Sequence, residues 1–367
     1  MNLRGMSDQE IEFNHLFREE GGIYRGKIVE QTQFHSMLFL ADKLIEGFKT
    51  SERARDLDIY VDVIDNFSIN ACVGKKGERY YIGINVGVLV LLSNMLFRMF
   101  SSNSILTEVG DASKERVTRK IHDAQIRDIQ TLLDDFNEDL TPQDETRLAA
   151  ASFFFKSIIE FIVLHEYAHI IDGHIDYCID TIRVCKLFEI QPTYAVGFDN
   201  PVFQQTIELQ ADDFAIFGCL HLLHDTQLGK FPVNPLLKPY FKDWKSTLQF
   251  WYLPIYTYFR FFGHLNQPHS LKKSSHPIPA VRSYLVLESL DHFLDNDFHL
   301  PDHEEVSLSC IESIFKIEDT FDQMSEQGKD LKALQYSLTD EVIDYAKMLM
   351  DKRNDVGDLL RSYSPIG

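Results

Sequence analysis

The run His165-Glu166-Tyr167-Ala168-His169 holds the residues of this chain best spaced to do chemistry. On a helix, positions i and i+4 lie about 40° apart on one face, so both imidazoles can direct a ring nitrogen at one point. Two neutral imidazoles supply half of a zinc site. Glu166, offset from them by about 100°, stands beside such an ion and can take a proton from a water on it. Catalytic zinc keeps three protein ligands and an open fourth position, and two histidines with one glutamate form such a set. Glu208, 39 positions after His169 in Glu208-Leu209-Gln210-Ala211-Asp212, is the third ligand this reasoning selects. The expected chemistry is hydrolysis with a single zinc ion per chain, Glu166 acting as general base.

Around these ligands, Asp212 lies one helical turn after Glu208, where it can accept the second N–H of a ligand histidine and fix its tautomer. Ala168 and Ala211 are small enough to let two helices approach closely around an ion. Asp213 is read as an ordinary helix acid. His174, after Gly173, is either a further group around the ligands or a polar residue just beyond a helix end. The second reading is preferred, and His174 is not assigned as a ligand.

The elements that must position these residues are legible in outline. From Leu148 to about Ile171 the chain is almost wholly apolar until the histidines, which predicts a helix through the middle of a domain. Asn200 before Pro201 predicts a helix N-terminus, with the helix running to about Leu223 and carrying Glu208 and Asp212. Alternation from Asp58 to Asp65 predicts a half-buried strand. SINACVG, the turn Lys75-Lys76-Gly77-Glu78 and RYYIGINVG predict a hairpin, with helix resuming near Val88. Residues 102–147 are polar and charged, with an exposed amphipathic helix expected over ASKERVTRKIHDAQIRDIQTLLDDF, and are read as an insertion. The organisation predicted is an N-terminal helical segment (1–56), a metallopeptidase domain (57–290) with its insertion, and an acidic helical C-terminal segment (291–367).

Composition narrows the classes. The chain has 367 residues, 44% hydrophobic, with a formal charge of -20. That is the balance of a folded protein, and the acidic excess argues against nucleic acid and anionic lipid as partners and for neutral-to-basic peptides. Five cysteines without a CxxC pair suggest reduced thiols and a cytoplasmic location. The acids in MNLRGMSDQEIEFNHLF interrupt what an export signal would need. Tyr81–Phe100 and Leu248–Phe262 are apolar but contain polar residues, glycines or proline, and are read as strand plus buried helix and as a core or substrate-facing helix. Membrane contact through the aromatic segment near Trp251 is the third reading entertained.

Taken together, NACVGKKGERYYIGINVGVL, HEYAHIIDGH, ELQAD and SSHPIPAVR resemble the gluzincin peptidases of the CAAX prenyl protease and HtpX type over roughly residues 57–285. The resemblance implies an α+β, zincin-like fold with a small antiparallel or mixed sheet and two metal-bearing helices. It also implies that Asn70 and Ala71 lie on an edge strand that binds an extended peptide, that His276 donates to an oxyanion, and that Arg282 orders the site. His269 competes with His276. The membrane proteases of this type have hydrophobic spans that are not found here, so their prenylated substrates do not carry over. Cytosolic phage-exclusion peptidases of the Lit type also place HExxH in an acidic chain, which makes a host-defence or regulatory protease a further expectation. The alternative is a non-catalytic, zinc-stabilised interaction protein.

Overall fold

The computed structural model describes residues 5–26, 31–49, 52–118, 120, 140–188, 200–262, 271, 277, 279–326 and 332–367. Its helices are α1 (Asp8–Leu16), α2 (Gln31–Phe48), α3 (Glu52–Arg55), α4 (Val86–Phe100), α5 (Glu145–Ile171), α6 (His174–Ile182), α7 (Pro201–Gln227), α8 (Trp244–Phe262), α9 (Pro279–Asn296), α10 (His303–Met324), α11 (Lys332–Ser337) and α12 (Asp340–Leu360). The strands are β1 (Ile59–Ile64), β2 (Ala71–Lys76), β3 (Arg79–Asn85) and β4 (Lys186–Phe188), in the order β1-β3-β2-β4. The chain is α+β, mostly helical with one small mixed sheet.

The hairpin forms as its sequence predicts, with Lys76 opposite Arg79 and Gly77 at φ 63°, a left-handed turn position that glycine adopts without a Cβ clash. Strand β1 joins β3 in parallel, Ile59 opposite Tyr80. Alternation sorts the side chains. Ala71, Val73, Ile82 and Ile84 enter the main core, whereas Cys72, Tyr81 and Ile64 face Phe13 and Phe17 at the α1 end of the chain. One expectation is overturned: β2 is not an edge strand along Cys72–Gly74, because β4 pairs with it there in antiparallel fashion, Cys72 opposite Phe188. Three residues suffice to cover that flank.

Helix α5 begins at Glu145, ahead of the expected Leu148, because Asp144 caps it by accepting from the amides of Thr146 (3.0 Å) and Arg147 (3.2 Å). Arg147 is thereby removed from the predicted insertion and fully buried. It donates to the carbonyls of Phe100 (2.7 Å), Ser102 (3.0 Å), Ile105 (2.7 Å), Leu106 (2.8 Å) and Val109 (2.8 Å). Residues 102–118 are consequently a folded loop with buried Ile105, Leu106 and Val109, not an exposed helix. Most of the predicted amphipathic helix, residues 119 and 121–136, lies outside the described residues.

From Ser157 to Ile171 every residue of α5 is buried, and α2, α4, α7 and α8 all pack on it. Helix α7 starts at Asn200-Pro201 as predicted, with Asn200 accepting from Val202 N at 3.1 Å, and continues to Gln227. It approaches α5 so closely that a Cβ on Gly218 would stand 2.8 Å from Leu164 Cδ1. Its other side is covered by α12, with Leu209 and Leu349 in one apolar cluster and Ile207 and Val356 in another. The main core runs from Tyr24 to Met324, so the first and last segments of the chain are built into it. Helix α5 is long and apolar enough to cross a membrane by composition, and 67% of the window concerned is buried inside the protein.

Arg147 holds together carbonyls that belong to one loop and the end of α4. Replacing it with methionine leaves them buried without this donor and is expected to lower stability by about 3 kcal/mol or more, measured by denaturant unfolding.

Candidate metal centre

Helix α5 places His165 and His169 on one face, and α7 brings Glu208 against them. The three ligand atoms form a compact triangle. His165 Nε2 is 3.2 Å from His169 Nε2 and 3.3 Å from Glu208 Oε2, and His169 Nε2 is 3.7 Å from the same oxygen. Ligands about 2.0–2.1 Å from a tetrahedral ion stand about 3.3 Å from one another, so the triangle fits one face of a zinc tetrahedron. His165, Glu166, His169 and Glu208 are each at most 2% exposed.

The hydrogen bonds behind the rings determine which nitrogens face that centre. Asp212 Oδ1 lies 2.9 Å from His165 Nδ1, and a carboxylate only accepts, so His165 carries its proton on Nδ1. Asp212 is in turn held by Arg282 in a fork, Nε to Oδ2 and Nη2 to Oδ1, both at 2.6 Å. Arg282 lies over the ring of Phe259, its guanidinium carbon 4.8 Å from the centroid. His169 Nδ1 is 2.8 Å from His174 Nδ1, and His174 Nε2 is 3.1 Å from Gln210 Oε1. Burial, then the nearby His169, holds the His174 imidazole well below its ordinary pKa. With His165 protonated on Nδ1, its Nε2 lone pair, the His169 Nε2 and a carboxylate oxygen converge. Such a cluster needs positive charge at its centre, a metal ion or a proton.

His174 is therefore a correction. It does lie just beyond the end of α5, but it is a fully buried partner of His169. The spacing hides it, because positions i and i+5 do not share a helix face. Gly173 breaks α5 with φ 78° and returns His174 toward the site, and a Cβ on Gly173 would stand 2.6 Å from the backbone of Tyr363 and Ser364. Asp213 is the second correction. It is buried, paired with Arg353 at 2.5 Å and hydrogen-bonded by Ser289, rather than solvated. Sequence reasoning also missed Gln210 and Arg353. The second lies 140 positions beyond Asp213 and meets it only because α12 packs on α7, so no local signal could have found it.

Ala71 is buried in the core that β2 shares with α5, and Asn70 bonds inward, its carbonyl accepting from Asn85 N at 3.0 Å. The Cys72 thiol is pushed up by burial first and then by the charge of Glu166, which lies on the neighbouring stretch of α5. His276 and His269 lie outside the described residues; Pro277 is buried.

Asp172 closes α5 as its C-cap, where the helix dipole already disfavours an acid. Burial, then the charge of Asp213, raises its pKa from 3.8 to about 7. A carboxyl with a raised folded-state pKa binds its proton more tightly folded than unfolded. The folded protein thus loses stability as pH rises through that interval, and no more above it. Asp172→Asn is expected to stabilise metal-free protein at pH 8 by about 2 kcal/mol, with the gain vanishing below about pH 4, measured by thermal unfolding across pH.

No family model, no curated protein and no solved structure matches this chain.

Proposed function

We propose that the chain is a zinc-dependent endopeptidase with a zincin-like catalytic core, acting on a protein or peptide substrate. The observation that carries this reading is the convergence of His165 Nε2, His169 Nε2 and Glu208 Oε2 within 3.2–3.7 Å of one another, next in sequence to Glu166. Bound zinc supplies Lewis acidity, bringing the pKa of a water toward about 7 and polarising a carbonyl.

The roles of the chain's own residues follow from their placement. His165, His169 and Glu208 hold the ion. Asp212 and Arg282 keep the His165 ring turned toward it. Glu166, buried on α5 and not one of the three donors, takes the proton from the attacking water and passes it to the leaving amine. The resemblance to the gluzincins adds His276 as the oxyanion donor, and Asn70 and Ala71, which precede the part of β2 that β4 covers, as the peptide-binding stretch. The charge of -20 favours neutral-to-basic substrates, and five cysteines free of disulfides fit a reducing, cytoplasmic setting.

A non-catalytic zinc pin between two helices is the second reading. The near-complete burial of all three donors favours it. Glu166 separates the two, since a structural site has no use for a base beside its ligands and closes its fourth position with protein.

Glu166→Gln is expected to keep about one zinc per chain and lose peptidase activity, whereas His169→Ala loses both. Metal analysis, together with a comparison of new protein N-termini in cells expressing parent and Glu166→Gln chains, checks this. Equal cleavage by the two forms rejects the mechanism.

A further inference from the structure

We propose that His174 and Gln210 are positioning residues for His169, joining it by a hydrogen-bond relay to the backbone of the C-terminal helix α12 and so fixing its tautomer. This rests on the metal-site reading above.

The direction of every bond in the relay follows from its far end. The Arg353 carbonyl can only accept, so the Gln210 amide nitrogen, 3.0 Å away, donates to it. That fixes the rotation of the amide, which is otherwise ambiguous, and turns Oε1 toward His174. His174 donates to this oxygen from Nε2 at 3.1 Å. A neutral His174 then has no hydrogen on Nδ1, which accepts from His169 Nδ1–H at 2.8 Å. A neutral His169 in turn presents its Nε2 lone pair to the centre shared with His165 and Glu208.

Removing the Gln210 oxygen removes this preference. A His174 tautomer with its proton on Nδ1 would donate toward His169 Nδ1 and drive the His169 proton to Nε2, the ligand position. The two ligand histidines are thus oriented differently. His165 has a carboxylate behind it, itself neutralised by Arg282, whereas His169 has an uncharged chain that adds no negative charge to a buried site. Helix α12 is held to α7 independently, through Arg353 to Asp213 at 2.5 Å and Tyr345 to Gln205 at 2.9 Å, so the accepting carbonyl has a defined place.

Zinc affinity, measured by competition with a chromophoric chelator on the full chain, tests the relay. Gln210→Leu is expected to weaken zinc binding by about 10- to 100-fold, the usual cost of losing a group behind a ligand. The double variant His174→Phe/Gln210→Leu should bind no more weakly than His174→Phe alone, because both break one chain. Thermal unfolding of the metal-free forms separates this from a general loss of fold, and Gln210→Ala carries the comparison if Gln210→Leu does not fold. Parent-like affinity in Gln210→Leu, or additive losses in the double variant, overturns the relay while leaving the metal site standing. A parent chain that does not bind zinc, or a His169→Ala chain that binds it equally, overturns the metal-site reading itself.

Discussion

Removal of water from the space between α5 and α7 is the constraint on which the rest of the structure depends. Glu166, Glu208, Asp212 and Asp213 are all at most 7% exposed, and each buried carboxylate costs several kcal/mol unless it is paired and hydrogen-bonded. Arg282 from α9 and Arg353 from α12 neutralise two of them, while Glu208 faces the imidazole pair across the proposed cation centre. A protein that buries this much charge needs donors from distant parts of its chain. That requirement explains why α9 and α12 close over α7.

The apolar architecture serves the same constraint from the other side. Helix α5 is surrounded by core along its final turns, so its histidine rings have little freedom except along the directions their hydrogen bonds set. Gly218 lets α7 come near enough for Glu208 to share a centre with His165 and His169. At the other end of α5, Gly173 turns the chain so that His174 falls behind His169, with Ser364 donating to the carbonyl of Ile171 at 2.6 Å. Backbone geometry and side-chain chemistry meet in these two glycines.

The sheet has a more modest part. It gives α5 a flat apolar face through Ala71, Val73, Ile82 and Ile84, and its opposite face is closed by Phe13 and Phe17. Because β4 lies on β2, a peptide added as a further strand would have to pair elsewhere than opposite Cys72–Gly74.

Much of this was legible in the residues themselves. Local rules were enough for the start of α7, where Asn200-Pro201 carries its own signal, for the existence of α5, though not for its Asp144 cap, and for the hairpin around Gly77. The i, i+4 spacing of His165 and His169 and the i, i+4 spacing of Glu208 and Asp212 likewise follow from helical period alone. What the residues did not disclose were the partners reached through space. The burial of Arg147 under a loop, the covering of β2 by β4, the return of His174 toward His169 and the pairing of Asp213 with Arg353 all depend on elements far apart in the chain. Residue type and local spacing were therefore enough to name the groups able to meet an ion, and three-dimensional packing selected the neighbours that hold their protons. Periodicity describes one helix or strand at a time, whereas the cost of an unpaired buried charge is settled only when all the elements are packed.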